Sequence, residues 1–209
     1  MRSGVVCAAM ARATDSEARR SEFAEAAWRT IAERGLDAAT VREVARGAGA
    51  STGRLVHYFR SKDELMLEAL RYAGRVVRER MNGLLAVQAG LTALRALVRD
   101  ALPLDDERRA EWRFWLAYWG RAASDPGLAA EQQRRIGVWR SMLARVLAEA
   151  HAAGELAPGI DVALEVDAIM ALVDGLGQQA LFDSERMTAE RLVLHVDALI
   201  TRLSAPEVR

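Results

Sequence analysis

Between residues 40 and 65 the chain gathers side chains able to meet nucleic acid. Thr52, Arg54 and His57 follow Ser51 in a short segment, with Gly53 among them. On a helix these groups share an outward face, and Gly53 lets the backbone come close to a ligand. A face of hydroxyl, guanidinium and imidazole groups can enter a DNA major groove and touch base edges. Thr40 and Ser61 each open a helix, and helix N-terminal amides attract anions. Lys62, the only lysine in the chain, stands one residue past such a cap. A cation there opposes the helix dipole, and a phosphate held at that helix end gives it a reason.

Short helices are needed to position these groups. Phe23, Ala24, Ala27, Trp28, Ile31 and Ala32 recur at helical spacing, which predicts a first helix over 17–34 closed by Gly35. Thr40-Val41-Arg42-Glu43 is a capping box, in which Thr40 takes the amide of Glu43 and Glu43 reaches back. The second helix ends near Gly47, since Gly47-Ala48-Gly49 is turn material. Ser51 caps a third helix with Leu55 and Phe59 inward. Ser61-Lys62-Asp63-Glu64 is a second capping box that opens a long helix to about Leu85. Two short helices on a glycine turn behind a longer one make a helix-turn-helix. Ala45 is small where the helices cross, and Gly49 supplies the positive φ.

Composition agrees with a helical protein. There are 40 Ala and only 4 Pro among 209 residues, 51% are hydrophobic and 28% charged, and Lys+Arg equals Asp+Glu at 29 each. These proportions exclude a disordered chain, a collagen-like chain and a disulfide scaffold. Residues 1–62 carry a net +4 and residues 63–209 a net −4, a basic head on an acidic body. Cys7 is the single cysteine and can form no intramolecular disulfide. No apolar run reaches the roughly 18 residues a membrane helix needs. Val5 to Met10 is too short and too weakly charged at its start for a signal peptide. A cytoplasmic protein is expected.

The run from Thr40 through His57-Tyr58-Phe59 to Ser61-Lys62-Asp63-Glu64-Leu65 resembles the DNA-binding signature of the TetR family of transcriptional regulators. The resemblance covers about residues 17–68. It implies an all-α fold: a three-helix helix-turn-helix DNA-binding domain at 17–68 behind an N-terminal arm at 1–16, then a helical ligand-binding and dimerisation domain at 69–209. It implies that Thr40, Tyr58 and Lys62 hold phosphates. Thr52, Gly53 and Arg54 would face bases, with Ser51 and His57 at the margin. Family members often carry Tyr where this chain has Val56, which removes one backbone contact. Arg12, Arg19 and Arg20 either reach the minor groove from the arm or belong to a solvated tail.

In the larger half, helices are expected at 91–102, 106–123, 125–153, 161–182 and 188–203. Pro103 stops the first of these, while Asp125-Pro126, Asp161 and Thr188 start the last three. Trp112, Trp115 and Trp119 share one face, and Phe114 and Tyr118 another. That is more than one buried stripe needs. Trp112, Trp115, Tyr118, Trp119 and Trp139 are therefore candidate ligand-binding residues, with ordinary core as the alternative. Trp and Tyr faces attract cations by about 0.5–2 kcal/mol. The stretches around Trp115, Asp125-Pro126-Gly127-Leu128, Trp139 and Val173-Asp174-Gly175-Leu176 resemble the choline-responsive BetI-type branch, which makes quaternary ammonium one ligand candidate among many. Wide apolar faces on 125–153 and 161–182 predict a homodimer through these helices, with packing inside one chain as the alternative. The principal members are Ile136, Trp139, Leu143, Val146, Leu147, Ile169, Leu172, Val173 and Leu176. Gly175 and Gly177, costly inside a helix, point to close packing of another helix.

No catalytic or metal constellation competes. His57, His151 and His195 are far apart, and no phosphate loop, nucleophile elbow or metal-ligand spacing occurs. Gly47-Ala48-Gly49-Ala50-Ser51-Thr52-Gly53 has the wrong last spacing for a dinucleotide fingerprint and follows no strand. Asp105-Asp106-Glu107 sits at a helix start and serves as a cap. A helical interaction module would not need Arg54, Tyr58 and Lys62 in that register. No enzyme activity, metal or cofactor is expected. The expected partners are double-stranded DNA with a palindromic operator, a second copy of the chain and a small-molecule effector. By the family's habit, the expected role is a repressor released by its ligand.

Overall fold

The computed structural model describes the backbone of residues 2–206 and the side chains of residues 16–206. Among the described residues there are nine helices and one isolated bridge, Leu156 with Ser204. No described helix is long and apolar enough to cross a membrane. The chain divides into two compact units, Met1–Val76 and Val77–Arg209. The division falls inside a helix, further along it than residue 68.

In the first unit α1 spans Arg2–Arg34. It starts well before the expected residue 17, so the backbone of 2–16 is helical and continuous with the rest of α1. The local sequence agrees with this: residues 5–14 hold no proline or glycine and include four Ala, the strongest helix former. The side chains of Cys7 and Arg12 lie outside the described residues. Phe23, Ala24, Ala27 and Ile31 bury the expected stripe, and Gly35 at φ 83° ends the helix.

The next two helices are α2 (Val41–Gly47) and α3 (Thr52–Tyr58). Thr40 and Ser51 cap them, accepting the amides of Glu43 and Arg54 at 3.2 Å each. Between them Gly49 takes φ 63°, a left-handed turn that only glycine adopts without strain. Val44, Ala45, Leu55 and Phe59 are buried beneath. α4 (Lys62–Leu85) follows, with Ser61 accepting the amide of Glu64 at 3.1 Å.

Both capping boxes close differently from expectation. Glu43 does not reach back to Thr40. It pairs with Arg46 at 2.6 Å and Arg34 at 2.9 Å, two cations that outcompete a single amide. Glu64 accepts the amide of Arg60, one residue further back than its cap, at 2.8 Å.

The second unit holds α5 (Gly90–Asp100), α6 (Asp106–Ala122), α7 (Pro126–Ala152), α8 (Val162–Phe182) and α9 (Ala189–Leu203). Asp105, Asp125, Asp161 and Thr188 cap the last four through their side chains. α5 has no cap of its own. Glu155, from the α7–α8 turn, supplies one by accepting the Leu91 amide at 2.7 Å. Its carboxylate lies 2.3–2.8 Å from where a Cβ of Gly90 would stand, so a side chain there would both strain the φ 57° backbone and displace Glu155 from its cap.

Leu94, Leu97, Leu143, Leu147, Ile169, Leu192 and Leu203 are fully buried in one core joining α5, α7, α8 and α9. Fully burying a leucine contributes roughly 1.5–3 kcal/mol. Four charges sit at the edge of this core. Arg80 bonds Glu111 through both terminal nitrogens at 2.7 and 2.9 Å and Asp100 at 2.8 Å, while Arg108 holds Asp100 at 2.6 Å. Asp100 and Glu111 are buried, so each carboxylate depends on these arginines.

Candidate functional site

α3 buries Leu55 on one side and leaves Thr52, Gly53, Arg54, Val56 and His57 exposed on the other. Ser51 and Thr40 are exposed at the starts of α3 and α2, and Lys62 is exposed at the start of α4. Tyr58 is half-buried, its ring 5.7 Å from Phe23 and 5.4 Å from His57. All eight expected nucleic-acid residues thus lie within one stretch of the first unit, and seven are open to solvent. Val56 is 58% exposed, an apolar side chain standing among polar ones on that face.

The cations of this unit fall into two sets. Arg34 and Arg46 are tied to Glu43, which they hold below the usual carboxylate range. Arg54 and Lys62 have no ion pair among the described residues, and neither does Arg42, exposed in the first turn of α2. A guanidinium or ammonium without a protein partner is free to take a phosphate or a base edge. Arg42 was missed in the sequence; its place two residues past the Thr40 cap is the available signal.

Arg20 does not reach toward a minor groove. It donates to the Tyr58 carbonyl and to Glu64 (3.0 Å), and its guanidinium lies 4.4 Å from the Phe59 ring centroid. It therefore anchors the C-terminal end of α3, where the last carbonyls of a helix lack partners. Glu64 receives both the Arg60 amide and Arg20, and these hold its carboxyl below the usual range, the amide most strongly. Arg19 pairs with Glu22 at 2.7 Å.

In the second unit the five aromatic candidates separate. Trp112 is buried, donates Nε1 to the Ala101 carbonyl at 2.8 Å, and stacks edge-on against Trp119. Tyr118 is buried with its hydroxyl on the Leu128 carbonyl at 2.6 Å; burial there raises its phenol. Trp115 is buried under Arg135, and Trp139 packs on the core edge. Trp119 lines an open groove of about 380 Å³, with Ala122, Ala129, Gln132, Ile136 and Asp174 among its other walls. Packing thus turns most of the aromatic surplus inward. A second groove of about 470 Å³ lies between the end of α4, α5 and the start of α6, lined by Leu84, Gln88, Arg99 and Arg108 among others.

Six of the nine expected dimer residues also turn inward, and Ile136, Trp139 and Leu172 stay half-buried. Leu143, Val146, Leu147, Ile169, Val173 and Leu176 belong to the core of their own chain. Gly177 meets Trp112: a Cβ there would stand 2.0 Å from the indole, so this glycine serves packing within the chain. At Gly175 a Cβ would meet nothing. Exposed apolar groups remaining on α7 and α8 are Val138, Leu164 and Phe182. Among the described residues no group of His, Cys, Asp and Glu could hold a metal ion.

Comparison with known proteins fits this geometry. The family of bacterial regulatory proteins of the tetR family matches residues 24–69, and the BetI-type transcriptional repressor C-terminal family matches residues 90–205. The chain is 31% identical to the HTH-type transcriptional regulator PksA of Bacillus subtilis, covering 91% of this chain and 94% of that one. It is 27% identical to BetI of Serratia proteamaculans, covering 88% and 92%. A transcriptional regulator from Saccharomonospora viridis in complex with choline superposes with a TM-score of 0.81 at 28% identity, covering 89% of this chain and 96% of that one. One from Rhodococcus sp. Rha1 superposes with a TM-score of 0.76 at 31% identity, covering 88% and 95%. These relatives are regulators, not enzymes. With its α2–turn–α3 matching the first family and more than half its length matching the second, the chain belongs to the TetR family of DNA-binding transcriptional regulators.

Proposed function

We propose that the chain is a dimeric repressor that reads a palindromic operator through α3 and is released by a small molecule bound in the second unit. The observation that carries this reading is the exposed face of α3, where Arg54 stands without a carboxylate partner above a buried Leu55. Thr52, Gly53 and Arg54 face bases, and Ser51 and His57 lie at the margin. Thr40, Tyr58 and Lys62 hold phosphates, with Arg42 as an added phosphate ligand. A partner that is bacterial DNA places this work in the cytoplasm.

A two-fold dimer through α7 and α8 sets two recognition helices one DNA turn apart, or a multiple of it. Exposed Val138, Leu164 and Phe182 support that surface. The Saccharomonospora viridis regulator, crystallised with choline, supports a small organic molecule as the effector class. The groove beside Trp119 is our choice of place for it. The ligand acts by its differential affinity for the DNA-bound and released states.

The test is binding of the purified protein to duplex DNA from upstream of its own gene, at two salt concentrations, with random competitor present. Tight, competitor-resistant binding to a palindrome is expected. Binding that random DNA removes at either salt, across that DNA and a genomic fragment library, overturns the operator-reading role.

A further inference from the structure

The walls of the groove between α6, α7 and α8 carry the parts of an organic-cation site. Trp119 offers an indole, Asp174 a carboxylate, and Ala122, Ala129 and Ile136 apolar surface. Aromatic faces backed by a carboxylate hold quaternary ammonium ions, which need no hydrogen bond. Beside this groove, however, the chain has placed a cation of its own. The Arg135 guanidinium lies 4.3 Å from the Trp115 ring centroid and 6.0 Å from that of Trp119. Its Nε donates to Gln132 at 3.1 Å, and Gln132 lines the groove. No carboxylate comes within ion-pair distance of Arg135 among the described residues; Asp174 acts on it only through space.

We propose that Arg135 is a specificity-determining residue beside this groove: its guanidinium, held on the Trp115 face, 6.0 Å from the Trp119 ring and bonded to Gln132, both of which line the groove, is a resident cation that bars quaternary ammonium ions. The inference rests on the reading of the second unit as the effector-binding part. A planar guanidinium stacks on an indole as no compact ammonium does, and Gln132 already orients it. A second fixed positive charge would have to share one carboxylate and one pair of rings with the first, in surroundings where charges are poorly screened. Two further features agree. Desolvation pulls the Arg135 pKa down to about 10, and Asp174, though still open to solvent, has its carboxyl raised. Both shifts come from desolvation, and the opposite charge of the other group counters each. The groove therefore suits a ligand with no fixed positive charge. Removing Arg135 would bare the Trp115 face and leave Asp174 unopposed, turning the groove into a cation site.

Titration calorimetry on the full chain tests this with tetramethylammonium, choline and choline's neutral isostere 3,3-dimethylbutan-1-ol. Arg135→Gln should bind tetramethylammonium and choline about tenfold tighter than the unaltered protein, or more. Arg135→Met, which keeps the packing volume, carries the same expectation should the glutamine variant fail to fold. Arg135→Lys should show little gain, since it keeps the charge. Adding Asp174→Asn to Arg135→Gln should erase the gain, and the neutral isostere should not share it. Equal or weaker binding of tetramethylammonium by both the Gln and Met variants overturns the proposal, as does tight binding by the unaltered protein. No DNA enters the titration, so a failure of operator binding is read separately.

Discussion

Arg54 in the first unit and Arg135 in the second both lack a carboxylate within ion-pair distance, and they differ in almost everything else. Arg54 stands in water on α3 with nothing above it, so its charge is fully solvated and free to be exchanged for a phosphate or a base edge. Arg135 is half-buried over Trp115, and loss of solvent lowers its hold on its proton. An unpaired charge is thus a recognition group where water covers it. Where rings cover it, the same charge decides what else can enter. The second unit shows the paired alternative too: around Arg80, desolvation is offset by three carboxylate contacts, and the guanidinium is held more firmly protonated than usual.

The contrast between paired burial and free exposure can be broken most forcefully at Glu111. Glu111→Ala leaves Arg80 with one carboxylate fewer in a buried site and should cost about 3–5 kcal/mol in urea unfolding. A loss below about 1 kcal/mol would mean that this network is no more than a surface pair. Gly177→Ala tests the interior differently, by forcing a methyl into the Trp112 ring. About 1–3 kcal/mol of destabilisation is expected, with a change in tryptophan fluorescence. Unchanged stability with a weakened dimer would return that glycine to an interface role.

On the exposed side, Arg54→Ala should leave the melting temperature unchanged and cost about 1–3 kcal/mol against the operator, with relaxed discrimination at one base position. Equal losses on operator and random DNA would make Arg54 a phosphate ligand. Lys62→Ala should weaken all sequences alike and make the log–log salt dependence shallower by about 0.9. The smallest effect concerns acid. Glu43 and Glu64 have folded pKa values below their unfolded ones, so their stabilisation is present at neutral pH and lost as pH falls through the folded values. The thermal midpoint should drop between about pH 5 and about pH 3, and Glu64→Gln should flatten part of that drop.

What could be foreseen follows the range of the interactions. Every expected helix from α2 onward begins within a residue or two of its expected start, because caps such as Thr40, Ser51, Asp105, Asp125 and Thr188 act on amides two or three positions away. The turn at Gly49 was equally legible, since a positive φ is a property of one residue. α1 was misplaced at its N-terminus because a run of helix formers carries no stop signal. Arg20 was misread because its partners, Tyr58 and Glu64, lie 38 and 44 residues away. The aromatic run of α6 showed a surplus of rings without showing which way they turn.

Local residue types and their spacing by themselves determined the all-helical fold, the helix-turn-helix and the set of polar groups offered by α3. These rest on bonds that close within one turn of chain. Tertiary structure alone decided that Arg34 of α1 joins Arg46 on Glu43, which does not reach back to its own cap. It also decided that Gly177 yields to Trp112 and that Arg135 covers Trp115. Each of these outcomes depends on which distant side chain arrives at a given place, and burial there sets the worth of a charge or a methyl group.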